Sequence, residues 1–314
     1  MAKTCVYLGD KLAKYGFPDG HPFSSDRYSV YRDTMQDTGL ADRCCVQSPC
    51  SATVEQLKRF HTAEHVANVK HCSKIGRGYL DAGDTPAFPG VYEAAAAVVG
   101  TTLAAADSIM KGDCRHAFSP IGGLHHARRN IASGFCVFND CGAAIEHLFS
   151  VYKLDRILYV DIDAHHGDGV FYSYESDERL IFLDFHQHSK TLYPGTGKAS
   201  ETGIGAAQGT KLNIEMLPGS GDEAFFEEWE KGRRFIDRFA PEFVLLQCGV
   251  DSLHGDPITD LHYTDRVHRF VTEQLISYAE LHCKGRLLAL GGGGYNLGNI
   301  AKGWISVTRA MVDA

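Results

Sequence analysis

No stretch of the 314 residues stays apolar for the roughly 18 to 20 positions that a bilayer-spanning helix needs. No Cys-x-x-Cys pair occurs among the ten cysteines, which removes the paired-thiol redox motif and the cysteine-rich zinc modules. Nothing between Met1 and Asp10 reads as a secretion signal, because a short apolar start meets an acidic turn too soon. The expectation is a soluble, cytoplasmic protein whose thiols are reduced and mostly buried. Cys44, Cys45 and Cys50, the one cysteine cluster, are expected to pack or to lie in a loop.

Excess positive charge is lacking as well. Lys and Arg number 31 against 39 Asp and Glu, a net charge of −8, so neither a nucleic-acid partner nor a membrane is expected, and cationic ligands are mildly favoured. Proline is sparse at 10 residues, while hydrophobic residues make up 44% and charged ones 22%. That is the composition of a packed globular chain and excludes disorder as its main state. Without an internal repeat, a low-complexity tract or a linker, residues 1–314 read as one domain.

What is present is an alternation of short apolar runs with longer helical ones. Thr4–Leu8, His116–Ser119, Arg156–Asp161, Leu180–Phe185, Phe243–Gly249 and Arg286–Leu290 predict strands, several of them apolar throughout, as parallel strands buried on both faces should be. Val91–Lys111, Asp140–Tyr152, Asp222–Phe239 and Thr264–Cys283 predict helices between them. The fold class is therefore α/β, an open parallel sheet flanked by helices. Ligands of such sheets bind beyond the carboxyl ends of the strands, where four polar or glycine-rich segments fall together: 121–126, 162–169, 250–257 and 291–296.

Histidine is the abundant reactive residue, with 16 in the chain, and it recurs in pairs and beside carboxylates. Asp161, Asp163 and His165 are spaced i, i+2, i+4 and share one side while the chain stays extended. With a carboxylate from a neighbouring strand end, taken as Asp256 between Gly255 and Pro257, they would make a three-donor metal site with an open position. A solvated loop capping a helix is the plainer reading of the same spacing. His125-His126 offers two imidazoles, one to accept a proton and one to give it, with Asp161 and Asp168 as partners that would fix their tautomers; a polar loop is the alternative. Gly291–Gly294 lacks the Lys-Ser/Thr of a phosphate loop, but lets the backbone approach a site closely and sets Tyr295 at its edge as an oxyanion donor or a structural phenol.

Taken together, GGLHHA (122–127), SGFCVFND (133–140), YVDIDAHHGDGV (159–170), YPGTG (193–197), GVDSLHGDP (249–257) and GGGGYN (291–296) resemble the zinc-dependent histone deacetylase superfamily, with its acetoin-utilisation proteins and acetylpolyamine amidohydrolases. The resemblance implies an arginase/deacetylase-like fold and one Zn2+ held by Asp163, His165 and Asp256. It makes His125 and His126 the base/acid pair, backed by Asp161 and Asp168, and Tyr295 the residue that polarises the scissile carbonyl. Gly134, Phe135 and Tyr193 would line a substrate tunnel, Asp84 would grip the substrate from the rim, and Tyr263, seven residues after Asp256, would stand at the mouth. The activity implied is removal of acyl groups from lysine side chains of peptides or from small acyl-amines, with acetylpolyamine hydrolysis as the alternative. K+ is implied near Asp161, Asp163 and His165, although Asp184 stands where the family commonly has serine.

Overall fold

A computed structural model describes residues 4–314. Its centre is a sheet of eight strands, all pairings parallel: β1 Thr4–Tyr7, β2 Cys45–Gln47, β3 His116–Ser119, β4 Ile157–Asp161, β5 Leu180–Gln187, β6 Lys211–Met216, β7 Phe243–Gln247 and β8 Leu287–Leu290, in the order β2-β1-β3-β8-β7-β4-β5-β6. Every residue of β3, β4, β5, β7 and β8 is buried, which a parallel sheet achieves only with helices on both faces. The Val91–Lys111 helix packs on β1, β3 and β8 and against Asp140–Ser150; a second group joins Asp222–Ile236, Asp265–His282, Leu297–Asp313 and Asp26–Asp37. Val91–Lys111 is long and apolar enough to cross a membrane by composition, yet 72% of that stretch is buried inside the fold.

The six strands and four helices expected from the sequence are all present, with ends differing by a few residues. β2 and β6 were not expected, and both are edges of the sheet. An edge strand keeps one side half exposed, so neither Cys45–Gln47 nor Lys211–Met216 carries the continuous apolar run that marks the central strands. Leu180–Gln187 runs two residues past its expected end because Asp184, His186 and Gln187 are buried, against what their polarity suggests. The four loops singled out from the sequence follow β3, β4, β7 and β8, which stand side by side as β3-β8-β7-β4. Those four strands bring their carboxyl ends to one rim.

Close packing of a loop on the Val91–Lys111 helix gives a test with an unusual sign. Replacing a mid-helix glycine by alanine ordinarily stabilises a helix by about 1 kcal/mol. A Cβ on Gly100, however, would stand 2.3 Å from the Ala52 nitrogen and 2.4 Å from the Ser51 carbonyl carbon, backbone atoms that Ala52 N–H ties to the helix through Ala96 O (2.8 Å). Overpacking of this kind costs about 1–3 kcal/mol, so Gly100→Ala is expected to lower the melting temperature by a few degrees. A raised melting temperature would show that the 50–52 loop yields freely.

Candidate active site

The end of β4 supplies two functions within five residues. Asp161, the last residue of the strand, turns one carboxylate oxygen to the His125 Nδ1–H (2.8 Å) and to the Tyr159 hydroxyl (2.7 Å). Past it the chain bends, and Asp163 and His165 face a different neighbour, Asp251 from the loop after β7. His165 Nδ1 lies 3.0 Å from Asp163 Oδ1 and 3.0 Å from Asp251 Oδ2, and one ligand atom from each of the three residues lies within 4.8 Å of the others. All three side chains are buried. Burial alone would lower the His165 pKa, but Asp251 and Asp163 outweigh it and raise it to about 10. Two buried carboxylates crowded on one imidazole nitrogen demand a positive charge there, and two oxygens and one nitrogen suit a divalent cation with a coordination position left open.

Hydrogen bonds hold these donors in place. Asp163 Oδ2 accepts from Gln247 Nε2 (2.8 Å) and from the Gly293 backbone (2.8 Å), and Asp251 Oδ1 accepts from Ala164 N–H (2.8 Å). Gly293 is obligatory, since a Cβ there would lie 2.1 Å from Asp251 Oδ2. His268 Nε2–H reaches the Gly249 carbonyl (2.8 Å) and steadies the β7 loop from behind.

The two histidines after β3 share one proton. His125 Nδ1–H donates to Asp161 and His126 Nδ1–H to Asp168 Oδ1 (2.8 Å), so both Nδ1 positions are protonated. Their Nε2 atoms then face each other at 3.2 Å, a distance that needs a proton on one of them. The surroundings decide which. Burial pulls His125 down, but Asp161 and Asp163 overcome it and raise it to about 9, whereas burial and the neighbouring His125 charge lower His126 to about 4. The loop that carries the pair is fixed by Asp140, which accepts from Gly123 N–H (3.0 Å) and Leu124 N–H (2.8 Å), and by Asn139, whose amide donates to the His125 and Ala127 carbonyls. His61 and His65 hold the same segment through Asn139 N–H and the Val137 carbonyl. None of these supporting residues was singled out from the sequence; the SGFCVFND stretch containing Asn139 and Asp140 was the available signal.

A cavity of about 210 Å³ leads to this centre, lined by Asp84, His126, Gly134, Phe135, His165, Leu192, Tyr193, Ile258 and Tyr295. Phe135 stands edge-on to Tyr295, with ring centres 5.8 Å apart, and Tyr193 edge-on to His126 at 5.1 Å. Gly134 has a positive φ of 53°, and a Cβ on it would strike the His126 ring at 2.5 Å, so only glycine leaves His126 open to the cavity. Burial, with Asp251 and Asp163 nearby, raises the Tyr295 pKa well above the ordinary phenol range and keeps it a hydrogen-bond donor.

Residues 21–311 match the family model described as the histone deacetylase domain. This chain belongs to the histone deacetylase family. Among curated relatives, the acetoin utilization protein AcuC of Bacillus subtilis (strain 168) is 34% identical over 320 residues, covering 99% of this chain and 82% of that protein. AcuC of Staphylococcus aureus (strain MRSA252) is 31% identical, covering 100% of this chain and 82% of that protein. A crystal structure of the HD domain of HDA15 superposes with a TM-score of 0.92 at 27% identity, covering 99% of this chain and 88% of that one. Family and relatives together make the chain a hydrolase of the deacetylase class.

Two expected positions differ in this histone deacetylase relative. Asp256 is not part of the donor cluster: its Oδ2 accepts from the Tyr295 backbone N–H (2.8 Å) and its Oδ1 from Ile258 N–H (3.1 Å). Asp251, five residues earlier, takes its place: the loop leaving β7 lays it against the loop leaving β4, where its Oδ2 lies 3.0 Å from His165 Nδ1 and its Oδ1 accepts from Ala164 N–H. Tyr263 is 1% exposed and packs edge-on to Phe225 in the core, away from the mouth. Counted from Asp251 instead, the same seven-residue offset lands on Ile258, which does line the mouth and is 37% exposed. Asp184, named with Asp161, Asp163 and His165 for potassium, has both carboxylate oxygens engaged by groups of the protein. His186 donates from Nδ1 to Asp184 Oδ1 (2.7 Å) and from Nε2 to the Gly197 carbonyl (2.9 Å), which makes it an imidazolium, and Gly167 N–H satisfies Asp184 Oδ2 (2.9 Å).

The reassignment is testable by metal analysis. Asp251→Ala is expected to weaken divalent-metal binding by at least about 100-fold, at or beyond what loss of a supporting residue causes, while Asp256→Asn keeps the metal through dialysis. The opposite order would restore Asp256 as the ligand.

Proposed function

We propose that this chain is a zinc-dependent amidohydrolase that removes acyl groups, acetyl foremost, from lysine side chains or related acyl-amines. The observation that carries this reading is the meeting, at the bottom of one narrow apolar tunnel, of the His125-His126 pair, the Asp163-His165-Asp251 cluster and Tyr295. A tunnel of that shape suits an alkyl chain with an amide at its tip. Zinc held by Asp163, His165 and Asp251 would supply Lewis acidity and a water of lowered pKa.

The remaining steps belong to the chain. His126, neutral and held by Asp168, accepts the proton as water adds to the amide carbonyl. Tyr295 donates a hydrogen bond to the oxygen as negative charge develops on it. The proton carried between the two histidines is then available to the departing amine, and the opposed environments of His125 and His126 are what separate acid from base. Asp161 and Asp168 orient the imidazoles and compensate their charge. At the mouth, Ile258 is aliphatic and Asp84 is the one carboxylate in the lining, a sparse acidic grip for a polycation, which favours acyl-lysine over acetylpolyamine.

Amine release from acyl-lysine peptides and from acetylated polyamines, measured side by side with a chelator control, tests the reading. Chelator-sensitive cleavage of peptides is expected; cleavage of polyamines alone would leave the chemistry and reverse the substrate. Tyr295→Phe is expected to lower kcat by about 100- to 1000-fold while retaining zinc. Near-normal turnover by that variant would remove Tyr295 from the reaction, and two metal ions per chain would point to a binuclear hydrolase instead.

A further inference from the structure

We propose that Asp184 and His186 are a positioning pair for His125 and His126, and that the His186 imidazolium takes the place for which the family resemblance implies potassium, so that this chain works without an alkali cation. Only the rate measurements that test it rest on the acyl-amine reading. The residues at that place do not fit an ion. Asp184 stands where the family commonly has serine, and its oxygens are taken, Oδ1 by His186 Nδ1–H (2.7 Å) and Oδ2 by Gly167 N–H (2.9 Å). His186 Nε2 faces the Gly197 carbonyl at 2.9 Å. An imidazole with an acceptor at each nitrogen carries both protons and a positive charge. The other ionisable groups facing it are His166, with ring centres 4.9 Å apart, and Glu215, opposite it in register on β6. Glu215 accepts instead from Ser189 Oγ–H (2.6 Å) and Ala199 N–H (3.3 Å), which leaves Asp184 as the carboxylate bonded to His186.

What lies beside the pair makes its charge balance matter. Asp161 and Asp184 are opposite each other in register on β4 and β5, so their side chains leave the sheet on one face. The point that a Cβ on Gly167 would take is 2.8 Å from Asp161 Oδ2, 3.3 Å from His125 Nδ1 and 3.4 Å from Asp184 Oδ2. Two buried carboxylates and one imidazole therefore crowd around a single glycine. Asp161 is matched by His125. An unmatched Asp184 would set a second negative charge against that couple, where burial makes like charges repel strongly. The contacts extend to His126 as well: Asp184 fixes Gly167, and the next residue, Asp168, orients His126. His186, through the Gly197 carbonyl, holds the 193–197 loop that brings Tyr193 into the tunnel lining. An ion pair outside the tunnel thus sets the charge beside one histidine and the loop behind the other.

The test measures kcat and KM on an acyl-lysine peptide, and the melting temperature, in potassium chloride and in tetramethylammonium chloride at equal concentration. The wild type is expected to behave alike in the two salts. His186→Gln strands Asp184 and is expected to lose about 10- to 100-fold in kcat with KM kept; potassium, free to bind between Asp184 and the Gly197 carbonyl, should recover part of that loss where tetramethylammonium does not. Combining Asp184→Asn with His186→Gln removes both charges and should restore most of the rate in either salt, because neither partner is then buried alone. A wild type that needs potassium, a single variant with full kcat, or a double variant no better than the single one overturns the proposal. If no acyl-amine is turned over, melting decides. Equal wild-type melting in the two salts, with the double variant melting above His186→Gln, keeps the pair and sinks only the amidase reading. A wild type stabilised by potassium alone sinks the pair, and that comparison stands even if neither variant folds.

Discussion

Five carboxylates, those of Asp161, Asp163, Asp168, Asp184 and Asp251, are at most 1% exposed at one edge of the sheet, and the site is organised around neutralising them. An isolated buried carboxylate is expensive enough that it would take up a proton rather than stay ionised. Each one here has an imidazole partner: Asp161 with His125, Asp168 with His126, Asp184 with His186, and Asp163 and Asp251 together with His165. That pairing accounts for much of the surplus of histidine over ordinary use. It also divides labour. Three of the imidazoles have a single carboxylate at their hydrogen-bonding nitrogen, and the fourth is crowded by two, which is where a cation of higher charge belongs.

Charge pairing at this depth works only with geometry fixed to a fraction of an ångström, because removing one partner strands the other. The fold fixes it from below. Trp304 Nε1–H holds the Gly291 carbonyl (2.9 Å), and the buried Arg27 guanidinium donates to the carbonyls of Gly292 and Gly294 while stacking on Phe23 at 3.8 Å. The glycine loop, pinned on that side, presents its Gly293 N–H to Asp163 on the other. The final helix, through Trp304, and the Asp26–Asp37 helix, through Arg27, thus set the position of a carboxylate that neither touches. Stability and reactivity are linked through that loop.

This arrangement explains which parts of the protein could be read in the sequence. Central strands such as Phe243–Gln247 announce themselves because burial on both faces requires an unbroken apolar run, and the loops that follow them announce themselves by chemistry that no core would tolerate unpaired. Edge strands do neither, and β2 and β6 went unseen. Within the site, Asp161, expected from its spacing to join the metal donors, turns instead to His125, while the His125-His126 pair after β3 and the Asp163-His165 pair after β4 could be grouped from spacing. The choice between Asp251 and Asp256 could not, since both are carboxylates in one turn-rich loop and only the path of the chain after Gly249 decides which enters. The Tyr263 position inherited the same five-residue slip, and Ile258 was missed with it.

The slip has a physical lesson about Asp256, which is no bystander. By accepting the Tyr295 N–H it links the β7 loop, which carries Asp251, to the β8 loop, which carries the phenol. One short loop therefore places two aspartates in two roles, the first facing the imidazole of His165 and the second fixing the backbone that aims Tyr295. Strand order makes this possible. β7 and β8 are neighbours in register, with Gln247 opposite Leu290, so the loops leaving them must run side by side. A substrate oxygen held between the Asp163-His165-Asp251 cluster and Tyr295 would depend on both aspartates at once, through separate contacts of a single turn.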